Sequence, residues 1–145
     1  MRVISTEIAI NASAERVWAV LSDNTRFPEW NPFITRCTGT IIPGARIEVE
    51  LTAPGSRPMR FRPVVLVATP ARELRWRGRV GLPGIFDGEH FFRIEDPGNG
   101  TVRFLHGEEF SGLLVPLFGG VIRRAREGFL RMNAALKARA ERTET

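Results

Sequence analysis

Cysteine, histidine and lysine are all scarce in this chain. Its 145 residues include one cysteine and two histidines, and Lys137 is the only lysine among 21 basic residues. With Cys37 alone no internal disulfide can form and a cysteine-based zinc cluster is excluded, which agrees with a reducing compartment. Cys37 also lacks a neighbour in sequence that would lower its pKa, so it reads as an inert strand residue rather than a nucleophile. No apolar run approaches the roughly 20 residues that span a bilayer. The stretch Met1 to Glu7 reads as a strand rather than the apolar core of a signal peptide, so cytoplasmic placement is the expectation. There is no G-x-S-x-G elbow, phosphate-binding loop or dinucleotide fingerprint, and no cofactor is expected. Internal repeats and low-complexity tracts are absent too. With 43% hydrophobic and 26% charged residues, the composition fits one domain over residues 1–145, its last few residues frayed, as a monomer or homodimer.

The net charge of +5 and a pI near 11.1 invite a polyanion-binding reading. The placement of the charge argues against it, because the arginines are scattered along the chain rather than gathered into one run. Nucleic acid is therefore disfavoured as a partner. The arginine-bearing outer face of the strands stands as an alternative surface for an anionic membrane or a nucleic acid.

What the chain does contain is one long amphipathic segment, Leu117 to Ala140. Phe118, Val121, Ile122, Ala125, Phe129, Met132, Leu136 and Ala140 follow three- and four-residue spacing, which predicts a helix with one apolar stripe. Pro116 suits its first turn, and Gly119, Gly120 and Gly128 point to close backbone approach or a bend. Earlier, residues 2 to 10 alternate as a strand, Ser13 can cap a short helix, and Thr25 to Phe33 forms a second helical turn cut short by two prolines. Six further strands follow, over residues 35–42, 45–51, 59–68, 72–80, 85–94 and 101–110. Turn sequences such as Pro43-Gly44 and Asp96-Pro97-Gly98-Asn99-Gly100 separate them. Pro63 inside the fourth strand calls for an edge or a bulge. Seven strands and one long helix must cover each other's apolar faces, giving a two-layer α+β domain.

The order β-α-α-β6-α, the segment Phe27-Pro28-Glu29-Trp30-Asn31-Pro32-Phe33 and the run Pro70-Ala71-Arg72-Glu73-Leu74-Arg75-Trp76 carry a resemblance. So do Gly88-Glu89-His90-Phe91-Phe92 and the exit Phe110-Ser111-Gly112-Leu113-Leu114. Together they resemble the START-like polyketide cyclase/dehydrase superfamily (SRPBCC) over nearly the whole chain. The resemblance implies a helix-grip fold, a seven-stranded curved antiparallel sheet around the C-terminal helix with an apolar cavity between them. It implies a small hydrophobic guest, a lipid, sterol or aromatic polyketide-like molecule, but no particular reaction.

Alternation supplies candidate site residues. If Trp76 points inward, so do Leu74, Gly78 and Val80. His90 and Phe92 share one face of their strand, and Phe104, His106, Glu108 and Phe110 share one face of the next. Trp30 and Phe33 fall where helix-grip proteins close the mouth of the pocket, and Phe118, Ile122 and Met132 lie on the helix stripe. These twelve residues are the expected ligand-binding set, with a cyclase/dehydratase-type enzyme as the alternative, in which His106 or His90 acts as general base and Glu108 orients it. The types His90, His106 and Glu108 could ligate zinc, but no spacing signature supports that and no metal is expected.

Overall fold

A computed structural model describes residues 1–142. The expectation of frayed last residues falls largely outside them. Strand β1 (Arg2–Ile10) buries Ile4, Thr6 and Ile10 on one face, as its alternation requires. Helix α1 (Ala14–Ser22) starts where the Ser13 hydroxyl accepts the Arg16 amide, and it buries Ala14, Val17, Val20 and Leu21. A 3-10 turn over Asn24–Glu29 carries Pro28 and leads to Asn31. The Asn31 side-chain oxygen accepts the amides of Phe33 and Ile34 at 3.0 and 2.8 Å, which fixes where Phe33 enters the core.

The strands β2 (Ile34–Thr38), β3 (Glu48–Leu51) and β4 (Met59–Phe61) form one antiparallel sheet. The strands β5 (Val64–Thr69), β6 (Glu73–Val80), β7 (Phe86–Glu95) and β8 (Val102–Ser111) join β1 in a second, ordered β1-β8-β7-β6-β5. An isolated bridge between Arg46 and Val64 links the two sheets, with the Ile47 amide on the Pro63 carbonyl and the Val65 amide on the Ala45 carbonyl. The single strand expected over 59–68 is thus two. Pro63 has no amide hydrogen to give a ladder, so the chain passes from one sheet to the other there, and among the described residues eight strands stand where seven were expected.

The chain then turns through a 3-10 segment, Val115–Phe118, which takes Pro116, and enters α2 (Gly119–Ala140), about 33 Å long at 1.5 Å per residue. Helix α2 begins two residues later than its periodicity predicts. Its stripe divides in two: Ile122, Phe129, Met132, Leu136 and Ala140 are buried, whereas Val121 is partly exposed. Gly128 is the close approach anticipated from composition, because the Phe33 ring occupies the space a Cβ would take there. A large antiparallel sheet gripping one long C-terminal helix is the α+β helix-grip architecture.

Candidate functional site

Strand register brings the polar residues together. Ile4, Glu108, His90 and Trp76 are successive cross-strand partners through β1, β8, β7 and β6, and the next inward row is Thr6, His106, Phe92 and Leu74. The two histidines therefore meet on the diagonal, with Nε2 atoms 2.7 Å apart. Helix α2 lays Phe129 against His106, ring centroids 4.3 Å apart, and adds Asn133 from the following turn.

The direction of each hydrogen bond in this cluster follows from donor and acceptor capacity. The Thr6 hydroxyl donates to the His106 carbonyl at 2.7 Å, so its oxygen accepts from Asn133 Nδ2 at 2.9 Å. That turns Asn133 Oδ1 toward His106 Nδ1, 2.9 Å away, and Nδ1 must carry a hydrogen. Burial, then the charge of neighbouring His90, holds the His106 pKa well below the usual 6.5, so the ring is neutral and its Nε2 lone pair accepts from His90 Nε2–H. What remains is His90 Nδ1 facing Glu108 Oε1 at 3.2 Å, and this contact requires one proton, on the ring or on the carboxyl. Glu108 and His90 are hydrogen-bond partners, and three buried residues behind them, His106, Asn133 and Thr6, fix the geometry of the pair.

Glu108 and His90 look onto a cavity of about 190 Å³. Phe33, Trp76, Phe86, Phe110 and Phe118 supply aromatic walls, β3 and β4 supply Val49, Leu51 and Phe61, and the mouth opens past Met59, Val80 and Val121. Gly88 is part of the site through its lack of a side chain, since Glu108 Oε2 fills the position of its missing Cβ.

Of the twelve residues expected to bind a ligand, Phe33, Trp76, His90, Glu108, Phe110 and Phe118 line this cavity. Phe92, Phe104, His106, Ile122 and Met132 do not. All five are wholly buried and form the floor beneath it. Trp30 packs edge-on against Phe27, centroids 5.3 Å apart, away from the lining. Of the two histidines only His90 reaches the cavity. Thr6, Asn133 and Gly88 were missed, although two left a signal: Asn133 occupies a stripe position between Phe129 and Leu136, and Thr6 an inward position between Ile4 and Ile8. A polar side chain in an apolar pattern needs a partner, and here each is the other's.

Among the described residues no group of three or more His, Cys, Asp or Glu is arranged to hold a metal ion. Cys37 is buried, and burial pushes its thiol up to about 12. Several outer-face arginines are also engaged. Arg75 meets Glu73 and Glu89 at 3.0 and 2.9 Å, Arg103 meets Glu7 and Glu95, and Arg75 and Arg93 flank the Phe91 ring.

A family model described as polyketide cyclase/dehydrase and lipid transport matches residues 1–141. The chain belongs to that family. Solved structures share its fold at low identity. A START superfamily protein from Mycobacterium smegmatis is 22% identical with a TM-score of 0.72, the match covering 96% of this chain and 97% of that one. The Zhui aromatase/cyclase from Streptomyces sp. R1128 is 14% identical with a TM-score of 0.71, over 97% and 94% of the two chains. Truncated norcoclaurine synthase from Thalictrum flavum is 15% identical with a TM-score of 0.75, over 99% and 95%. These likenesses show the fold. No curated protein matches the chain.

Proposed function

We propose that this family member binds a small hydrophobic molecule in the cavity between the sheets and α2, and that a carbonyl or hydroxyl of the guest rests on Glu108. The observation that carries this reading is the hydrogen-bonded Glu108–His90 pair, 3.2 Å apart, on a largely apolar wall. An apolar pocket with a few convergent polar groups binds by area and orients by hydrogen bonds. A carboxyl that can present either a proton or a lone pair suits an oxygen-bearing lipid, sterol or aromatic polyketide-like guest.

The relay behind the pair favours a second reading, a cyclase/dehydratase-type reaction. Glu108 carboxylate would take a proton from a carbon next to a ketone while the His90 imidazolium gives one to the departing β-hydroxyl, which leaves as water. The pair ends with the single proton it began with, now on Glu108, and transfer to His90 resets it. His106 would act through His90, as a positioning residue.

Thermal-shift screening of these three compound classes, followed by assay of any compound that binds, separates the readings. Binding predicts a rise in Tm that Trp76→Ala removes and Glu108→Gln reduces by about tenfold in affinity, the effect of one charged hydrogen bond. Catalysis predicts that Glu108→Gln keeps most of the affinity and loses turnover. No compound raising the Tm, and no small molecule extracted with the purified protein, would defeat both.

A further inference from the structure

The mouth of the cavity carries a feature that guest binding does not require. Leu82, Leu113 and Leu117 are 75%, 78% and 77% exposed. They sit on adjoining turns: the Leu113 amide donates to the Gly84 carbonyl at 3.0 Å, the Leu114 amide to Ile85 at 2.9 Å, and the Leu117 amide to Leu114 at 2.9 Å. Val80, Phe86, Phe118 and Val121, next to these turns, line the cavity itself. Three nearly bare leucines grouped at one opening are an apolar surface that a lone soluble domain has reason to avoid.

Charge around this opening is predominantly positive. No aspartate or glutamate occurs in residues 51–72, 74–86 or 110–126, the three segments that supply most of the mouth, while each bears at least three arginines. Arg57 and Arg79 line the cavity, and Arg79 is paired with Asp87 at 3.4 Å. Arg2 and Arg123 converge at the start of α2, where a Cβ placed on Gly119 would lie 3.8 Å from one guanidinium and 3.6 Å from the other. Neither has a carboxylate partner among the described residues. Two like charges at the positive end of a helix favour an anion between or beside them.

We propose that this rim docks on an anionic membrane surface, with Leu82, Leu113 and Leu117 entering the acyl boundary and Arg2, Arg57 and Arg123 meeting lipid phosphates. Unpaired arginines beside protruding apolar tips are complementary to a negatively charged bilayer, where each basic residue near the surface strengthens association about fivefold. Leucine is under-represented among the residues that dominate protein–protein contacts, so the rim fits lipid better than an acidic protein. The cavity would then open onto the bilayer, a source for apolar guests. The proposal concerns the rim alone, and it stands whether or not Glu108 performs chemistry.

Flotation of the full chain with vesicles of phosphatidylcholine alone, and of phosphatidylcholine mixed with phosphatidylglycerol, tests it. The expected result is association with the anionic vesicles only, falling as salt rises. Arg2→Gln and Arg123→Gln should each weaken it about fivefold. Replacing the three leucines with serine should weaken it at least tenfold, roughly the loss of one buried leucine side chain, with Tm unchanged because those side chains are exposed. No flotation with anionic vesicles at low salt overturns the proposal, and so does flotation that survives the leucine replacement. Thermal shifts with free guest, measured without vesicles, report on the cavity independently.

Discussion

Asn133 shows how one side chain can set the chemistry of a site it never touches. Its amide, oriented by Thr6, settles which nitrogen of His106 holds the hydrogen, and through His90 that choice reaches Glu108. The neutral, buried state of His106 also makes stability depend on pH. Its folded pKa lies below the unfolded 6.5, so above that pH both states are deprotonated and the histidine's contribution is complete. Below it the unfolded chain binds a proton that the folded one refuses, and stability falls by up to about 1.4 kcal/mol per pH unit until the folded value is reached. Denaturant titrations at pH 7.5 and 5.5 should show this loss in the parent. His106→Gln should show less of it, although it is less stable at pH 7.5. Equal losses in both proteins would assign the acid sensitivity to carboxylates. None of this direction was legible beforehand: alternation put both histidines on one face, but only register and the helix position of Asn133 set who donates to whom.

At the scale of elements, α2 was the most legible part of the chain and its start the least. A three- and four-residue stripe identifies a helix, yet it does not say which part of the stripe meets core and which meets empty space. The glycines of α2 looked alike in sequence and differ in surroundings. A Cβ on Gly128 runs into the Phe33 ring, whereas one on Gly120 has only the Arg123 guanidinium at 3.8 Å. Gly128→Ala should therefore destabilise by about 1 to 3 kcal/mol through overpacking and shift a ring that lines the cavity. Gly120→Ala should stabilise by up to about 1 kcal/mol through helix propensity. Thermal melts of the two variants check the contrast, and a stabilised Gly128→Ala would mean that Phe33 yields readily. Pro63 was legible as a disruption, and its consequence, two strands in different sheets where one was expected, was not, because the partner groups come from the distant segment 44–47.

For the whole molecule, composition gave class and charge but not distribution. A net charge of +5 said nothing of where carboxylates are missing. Pairing neutralises part of the outer sheet face, whereas Arg2, Arg57 and Arg123 near the cavity mouth have no carboxylate partner among the described residues. Cys37 reads simply by contrast: a lone strand cysteine, buried and with its thiol pushed up to about 12, reports global unfolding. Alkylation at pH 8 should be negligible in the folded protein and complete in denaturant, and prompt labelling of the folded state would show that β2 opens locally.

The three-stranded sheet is sewn to the larger one by a short seam, Arg46 on Val64 with the amides of Gly44, Ile47 and Val65. Val49, Leu51, Met59 and Phe61 hang from that seam and form one wall of the chamber, so under the proposed binding role any give in it would set how bulky a visitor could enter. Selectivity by size would then be a matter of stitching, and Pro63, which lacks the one hydrogen another residue would add to the thread, is where to alter it.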